Sequence, residues 1–139
     1  MASVCRFRHP KAARQPVSSR ESGLAIGHAT ELRARRLLER AGLCWIASNV
    51  RFRGGELDLI MRDAATIVFI EVRYRQRPFF GTGAETVDAS KQHKLIRCAH
   101  LWLARHAHWA DQPCRFDVVH AKGKPPCIHW IRHAFTADT

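Results

Sequence analysis

Two acids stand where buried strands would be expected to carry apolar side chains. One is Asp58, in Gly54-Gly55-Glu56-Leu57-Asp58-Leu59-Ile60; the other is Glu71, in Ile67-Val68-Phe69-Ile70-Glu71-Val72-Arg73-Tyr74-Arg75. Strand side chains alternate between two faces, so Glu71 and Arg73 follow Ile67 and Phe69 onto one side, while Val68, Ile70, Val72 and Tyr74 take the other. Asp58 shares its face with Ile60, and Leu57 and Leu59 are expected opposite. A carboxylate in an apolar layer is costly unless it is paired or bound to a metal. Two such acids on neighbouring strands, with a guanidinium beside them, suit a divalent cation held next to a phosphate. Mg²⁺ or Mn²⁺ takes oxygen ligands, typically one or two carboxylates with water completing the shell. Phosphodiester hydrolysis needs a cation against the charge building on the phosphoryl oxygens, an activated water, and a positive group at the attacking or leaving oxygen. Asp58 and Glu71 are thus the expected ligands, the Val72 carbonyl a further one, and Arg73 the phosphate contact.

The elements that must position these groups can be read from periodicity. A helix is expected over 24–40, with Ser22 or Gly23 as its cap and Gly42 ending it. Its inward stripe is Leu24, Ala34, Leu38 and Ala41, and Arg33, Arg36 and Arg40 make its charged face. Glu31 falls on the inward stripe. By itself it reads as a boundary residue paired with an arginine; beside Asp58 and Glu71 it is a third acid, binding the ion through water or holding a second one. Strands follow at 44–52, 56–61 and 66–75, joined by tight turns at Gly54-Gly55 and at 62–65, which makes an antiparallel meander. Residues 76–84, with Pro78, Phe79, Phe80, Gly81 and Gly83, read as a mobile loop. A second helix is expected over 89–106 on the apolar face of Leu95, Cys98, Ala99, Trp102 and Leu103. Lys91, His93, Lys94 and Arg97 crowd its start, which the helix dipole disfavours unless something negative lies nearby. Further strands are expected at 114–121 and near 128–132. The order α-β-β-β-α-β-β gives an α/β sandwich around one mixed sheet.

Composition narrows the partners. The 139 residues suffice for one compact domain, and 46% hydrophobic content favours a fold over disorder. Lys and Arg number 23 against 12 acids, a formal charge of +11 that suits nucleic acid as partner. A basic arm over 1–22 contributes +4 of it, leaving +7 over the rest, a folded domain over 23–135 and a short tail over 136–139. No run approaches the roughly 20 apolar residues of a membrane span, and no apolar signal core follows the basic N-terminus. Five widely spaced cysteines without a C-x-x-C pair suit reduced thiols and a cytoplasmic location. The nine histidines show no zinc-ligand spacing. His93 and His100 are expected at the surface, and the four tryptophans in the core or an interface.

The pattern resembles the PD-(D/E)xK nuclease superfamily, with its restriction-endonuclease-like, Holliday-junction-resolvase-like core. More closely, the chain is similar to the YraN family of bacterial proteins. The resemblance covers residues 23–135. It rests on Gly27-His28-Ala29-Thr30-Glu31-Leu32, Gly55-Glu56-Leu57-Asp58-Leu59-Ile60, Val68-Phe69-Ile70-Glu71-Val72-Arg73-Tyr74-Arg75, Ser90-Lys91-Gln92-His93-Lys94 and Cys114-Arg115-Phe116-Asp117-Val118-Val119, in that order. One departure matters: the superfamily's E-x-K lysine is Arg73 here. Arginine stays protonated, so it can steady a phosphate but is a poor general base. Lys91 is the candidate to replace the lysine in space.

The site read from the sequence is therefore Glu31, Asp58, Glu71, Arg73 and Lys91 for catalysis, with Asp58, Glu71 and Glu31 on Mg²⁺ or Mn²⁺. Arg73, Tyr74, Arg75, Lys91, His93 and Lys94 are the expected nucleic-acid contacts. Asp117 is expected to pair with an arginine and Glu56 to be an exposed strand-start residue. The main functional reading is a metal-dependent endonuclease acting on DNA rather than RNA, on branches or flaps, and working as a homodimer. The alternatives are a nucleic-acid-binding protein with a degenerate site, and a protein-interaction domain whose basic face is incidental.

Overall fold

A computed structural model describes residues 21–75, 87–123 and 126–137, with the side chains of 21–26 and of Arg75 left aside. The arm expected over 1–22 lies almost wholly outside these residues, as does the loop expected over 76–84. The elements are α1 (Glu21–Arg40), β1 (Cys44–Phe52), β2 (Gly55–Asp63), β3 (Thr66–Arg75), α2 (Ala89–Arg105), a short 3-10 turn (Ala107–Trp109), β4 (Cys114–Lys122) and β5 (Cys127–Phe135). The expected order α-β-β-β-α-β-β is present, with α1 beginning earlier and β2 and β5 running longer than the periodicity suggested.

The five strands form one mixed sheet in sequential order. β1, β2 and β3 are antiparallel neighbours, β4 runs parallel to β3, and β5 returns antiparallel to β4. A parallel pair needs a crossover, and α2 supplies it. Each helix covers one face. Leu95, Cys98, Ala99 and Trp102 of α2 pack with Ile60, Ile67, Phe69, Phe116 and Val118. Ala34 and Leu38 of α1 pack with Leu59, Met61, Val68, Ile70 and Val119. The result is a three-layer α/β sandwich whose central strands are buried on both sides.

Helix α1 ends in a Schellman motif. The Leu43 amide donates to the Leu38 carbonyl, the Gly42 amide donates to the Glu39 carbonyl, and Gly42 takes φ +100°. Leu43 then packs in the same cluster as Leu38. The buried run of α1 is Thr30, Ala34 and Leu38. Ala41, expected on the stripe, is exposed because the helix has already ended at Arg40.

The β1–β2 turn needs one correction. Its two central residues are Arg53 and Gly54, because Gly55 already pairs with Phe52. Gly54 supplies the positive φ of +89°. Gly55 serves a different need: a Cβ there would lie 2.7 Å from Sγ of Cys98, so the missing side chain lets α2 approach β2.

Candidate active site

The ladder between β2 and β3 stops at Leu59↔Ile70. The next pair in that register would set Asp58 opposite Glu71. There the strands exchange a side-chain bond instead: the Val72 amide donates to Oδ2 of Asp58 at 3.0 Å. Across the same point β1 turns left-handed at Asn49, with φ 53°. Strict alternation fails here as well. Leu57, expected on the face of Leu59, packs with Ile60 under α2, whereas Leu59 packs under α1. The sheet is thus opened where the two acids stand.

Glu71 is 7% exposed and shares the α2 side with Ile67 and Phe69. Its Oε1 lies 3.4 Å from Nζ of Lys91 and 3.8 Å from Nε of Arg73. Its Oε2 is buried without a hydrogen-bond partner, and so is Nε of Arg73. The Glu71 carboxyl is pushed up to about 7, first by burial and then by the charge of Asp58 and hydrogen bonding with it, while Lys91 and Arg73 pull the other way. Glu31 on α1 is also held above the ordinary carboxylate range, first by burial and then by the charge of Asp58, against a hydrogen bond with the Asn49 side chain. Three acids distant in sequence therefore feel one another through Asp58.

Lys91 arrives through α2. Asp88 caps that helix, its Oδ1 accepting from the Lys91 amide at 2.8 Å, and this aspartate together with Glu71 supplies the negative charge that the basic first turns need. His93 and Lys94 follow it, exposed on the surface of α2. The Tyr74 hydroxyl donates to the Gly123 carbonyl at 3.4 Å, which ties β3 to the end of β4. Arg75 lies at the end of β3, its side chain outside the described residues. Glu56 is partly exposed, 3.9 Å from Arg51.

Asp117 is 1% exposed and structural. Its carboxylate accepts from Arg115, from Nε1 of Trp130 at 2.9 Å and from the His133 amide at 2.9 Å. Three positions escaped the sequence reading. Asp88 had a signal, an acid directly before a helical pattern. Asn49 had a weak one, as a residue type that tolerates positive φ. His120, 1% exposed and level with Arg73 in the β3–β4 register, sat unremarked on the inward face of Phe116 and Val118.

Among the described residues no three His, Cys, Asp or Glu side chains are gathered as a ready-made metal cage. The donor set fits a hard ion of the Mg²⁺ kind nonetheless, because two carboxylates with waters suffice for it and Oε2 of Glu71 lacks a partner.

Comparison with known proteins completes the description of the site. The model of the uncharacterised protein family UPF0102 matches residues 30–121, from the residue before Glu31 to the end of the buried part of β4. The chain belongs to this family. A UPF0102 protein of Xylella fastidiosa (strain Temecula1 / ATCC 700964) is 57% identical over 112 residues, spanning 81% of this chain and 93% of the relative. UPF0102 proteins of Xanthomonas euvesicatoria pv. vesicatoria (strain 85-10) and Xanthomonas oryzae pv. oryzae (strain PXO99A) are 55% and 54% identical over the same length, covering 92% of each. UPF0102 membership agrees with the YraN resemblance of the five motifs, and the three-layer sandwich is consistent with the nuclease superfamily. No helix of the described residues is long and apolar enough to cross a membrane.

Proposed function

We propose that this protein is a metal-dependent endonuclease that cleaves phosphodiester bonds in DNA, with branched or flap structures as its substrates. The observation that carries this reading is the buried, partnerless Oε2 of Glu71 at the point where the β2–β3 ladder opens onto Asp58. A fold does not keep such an oxygen next to a second carboxylate for stability. Asp58 and Glu71 would hold Mg²⁺ or Mn²⁺, the Val72 carbonyl is a further donor, and Glu31 would reach the ion through water. When bound, the ion supplies neutralisation of the phosphoryl oxygens and a more acidic water.

The remaining work falls to the chain itself. Arg73, permanently charged, holds the scissile phosphate. Lys91, beside Glu71, is the group able to exchange a proton at the attacking or leaving oxygen, the part that arginine fills poorly. Tyr74, Arg75, His93 and Lys94 flank the site as backbone contacts. DNA is favoured over RNA, the setting is cytoplasmic in keeping with the free thiols of Cys44, Cys98, Cys114 and Cys127, and a two-fold dimer would present two sites to opposed strands.

A second reading, a nucleic-acid binder without cleavage, draws on Arg73 in the lysine position and on the Glu71 carboxyl pushed up to about 7. One cleavage panel separates the two: duplex, single-stranded, flap and four-way DNA, with and without divalent cation, beside Asp58→Asn. Cation-dependent cutting lost in the variant supports the nuclease. Salt-sensitive binding with no cutting by the wild type supports the binder.

A further inference from the structure

Helix α1 shows two different flanks. At about 100° per residue around the buried run Thr30, Ala34 and Leu38, Glu31 lies to one side, and Arg33, Arg36, Leu37 and Arg40 to the other. The three arginines are exposed. Among the described residues none of them meets a carboxylate, since the neighbouring Glu39 is engaged by Arg35. They line, with Leu37, Pro126 and Ile128, an open cleft of about 400 Å³ between α1 and the start of β5. Arg40 stands seven helical steps beyond Arg33, a rise of roughly 10 Å. Three uncompensated guanidiniums over that distance repel one another, and a ligand carrying several anionic groups in a row relieves the repulsion.

We propose that this cleft is a second nucleic-acid contact, holding two or three phosphates of the backbone away from the bond that is cut. Guanidinium forks match phosphate oxygens in pairs, and the apolar floor of Leu37, Pro126 and Ile128 suits the sugar faces between them. The inference rests on the reading that the Asp58–Glu71 site takes nucleic acid, and it adds where the rest of the substrate lies. A backbone in the cleft and a phosphate beside Asp58 sit on opposite flanks of α1, so the two contacts suit strands that diverge rather than one straight duplex.

The test compares the full chain with an Arg33→Gln/Arg36→Gln/Arg40→Gln variant, by fluorescence anisotropy on a four-way junction and on linear duplex over a salt series without divalent cation. All three positions are exposed, and thermal unfolding followed by circular dichroism shows whether the fold is kept. The expected result is a tenfold to hundredfold weaker Kd for the junction, a log–log salt slope shallower by about 2, and a smaller loss on duplex. The triple Arg→Lys variant, which keeps the charge, should recover part of the affinity. Unchanged Kd and slope in the folded Gln variant, while the wild type binds and cuts, overturns the cleft and leaves the nuclease standing. A Gln variant that loses poly-glutamate binding but not junction binding also overturns it, in favour of an acidic protein partner. Loss of junction binding in the variant, with a wild type that never cuts, upholds the cleft and defeats the nuclease reading.

Discussion

The Val72 amide donates to the side chain of Asp58, at 3.0 Å, one step beyond the last backbone pair of β2 and β3. The carboxylate does the work of a missing strand carbonyl and also carries the charge that Glu71 and Glu31 feel. The two tasks come apart on substitution. Asp58→Asn keeps an oxygen acceptor, so urea unfolding should change by less than about 1 kcal/mol, while cation-dependent cleavage falls by at least about a hundredfold. Asp58→Ala strands the Val72 amide and should cost a further 1–3 kcal/mol or so.

Glu71 makes stability depend on pH in a direction opposite to an ordinary paired acid. Its folded value of about 7 lies above the usual 4.5, so the folded protein holds this proton more tightly than the unfolded chain does. The contribution is fully present below about pH 4.5 and is lost as pH rises through 7. Glu71→Gln should therefore be more stable than the wild type at pH 8, by on the order of 2–3 kcal/mol, with the gap closing near pH 4. Denaturant melts of both proteins across this range read it directly. A cation competes with the same proton, so Mn²⁺ affinity measured by titration calorimetry should tighten from pH 6 to pH 8, and should be lost in Glu71→Gln.

Lys91 lies 3.4 Å from the Glu71 carboxylate and favours its charged form. Lys91→Ala should drive the Glu71 carboxyl higher still and move the acidic limb of the cleavage–pH profile to higher pH, together with a fall in rate of about 10²–10⁴-fold if Lys91 moves a proton. Lys91→Arg restores the charge without the titratable amine. Recovery of the profile without recovery of the rate would assign Lys91 to proton transfer, and recovery of both would leave it a charge only.

These relationships were unevenly legible in the sequence. The strands around Asp58 and Glu71 could be read because their flanking residues are apolar at the strand period, and the acids interrupt that period. The closing of α1 could be read from Gly42. The nearness of Lys91 to Glu71 depends on how α2 crosses β2, which is a matter of packing rather than spacing; the basic start of α2, which calls for a negative neighbour, and the likeness of Ser90-Lys91 to a family motif hinted at it. The position of Leu57 was misjudged because alternation assumes an unbroken ladder, and the ladder breaks at Asp58. Asp117 was expected to pair with an arginine and does so with Arg115, two residues before it, while its partners Trp130 and His133 come from β5 and have no local signal.

Asp117 gives the contrasting control. It is buried and accepts hydrogen bonds from Arg115, Trp130 and the His133 backbone, and Arg115 is tied in turn to Asp63. Asp117→Asn leaves Asp63 as the remaining charged partner of the mostly buried Arg115 guanidinium, weakens the hydrogen bonds at a fully buried carboxylate, and should destabilise by about 1–3 kcal/mol. Whatever fraction stays folded should cleave at the wild-type rate per folded molecule, which separates this acid from Asp58 in one pair of measurements.

Gly55 tests whether the packing of α2 sets the site. A Cβ at Gly55 would come within 2.7 Å of Sγ of Cys98, while the nearest atoms of Lys94 stand at 3.8 Å and beyond. Gly55→Ala must therefore push Cys98, and with it the first turns of α2 that carry Lys91. Overpacking of this kind costs about 1–3 kcal/mol. Cys98→Ala removes the obstructing sulfur, at the lesser cost of a small cavity. The two changes touch the same space, so the double variant should be more stable than the sum of the singles predicts, by at least about 0.5 kcal/mol in a double-mutant cycle. Cleavage should follow the helix: reduced in Gly55→Ala, and restored in the double variant as Lys91 returns to Glu71. Additive energies with cleavage unaffected throughout would mean that the approach of α2 at Gly55 does not govern where Lys91 sits.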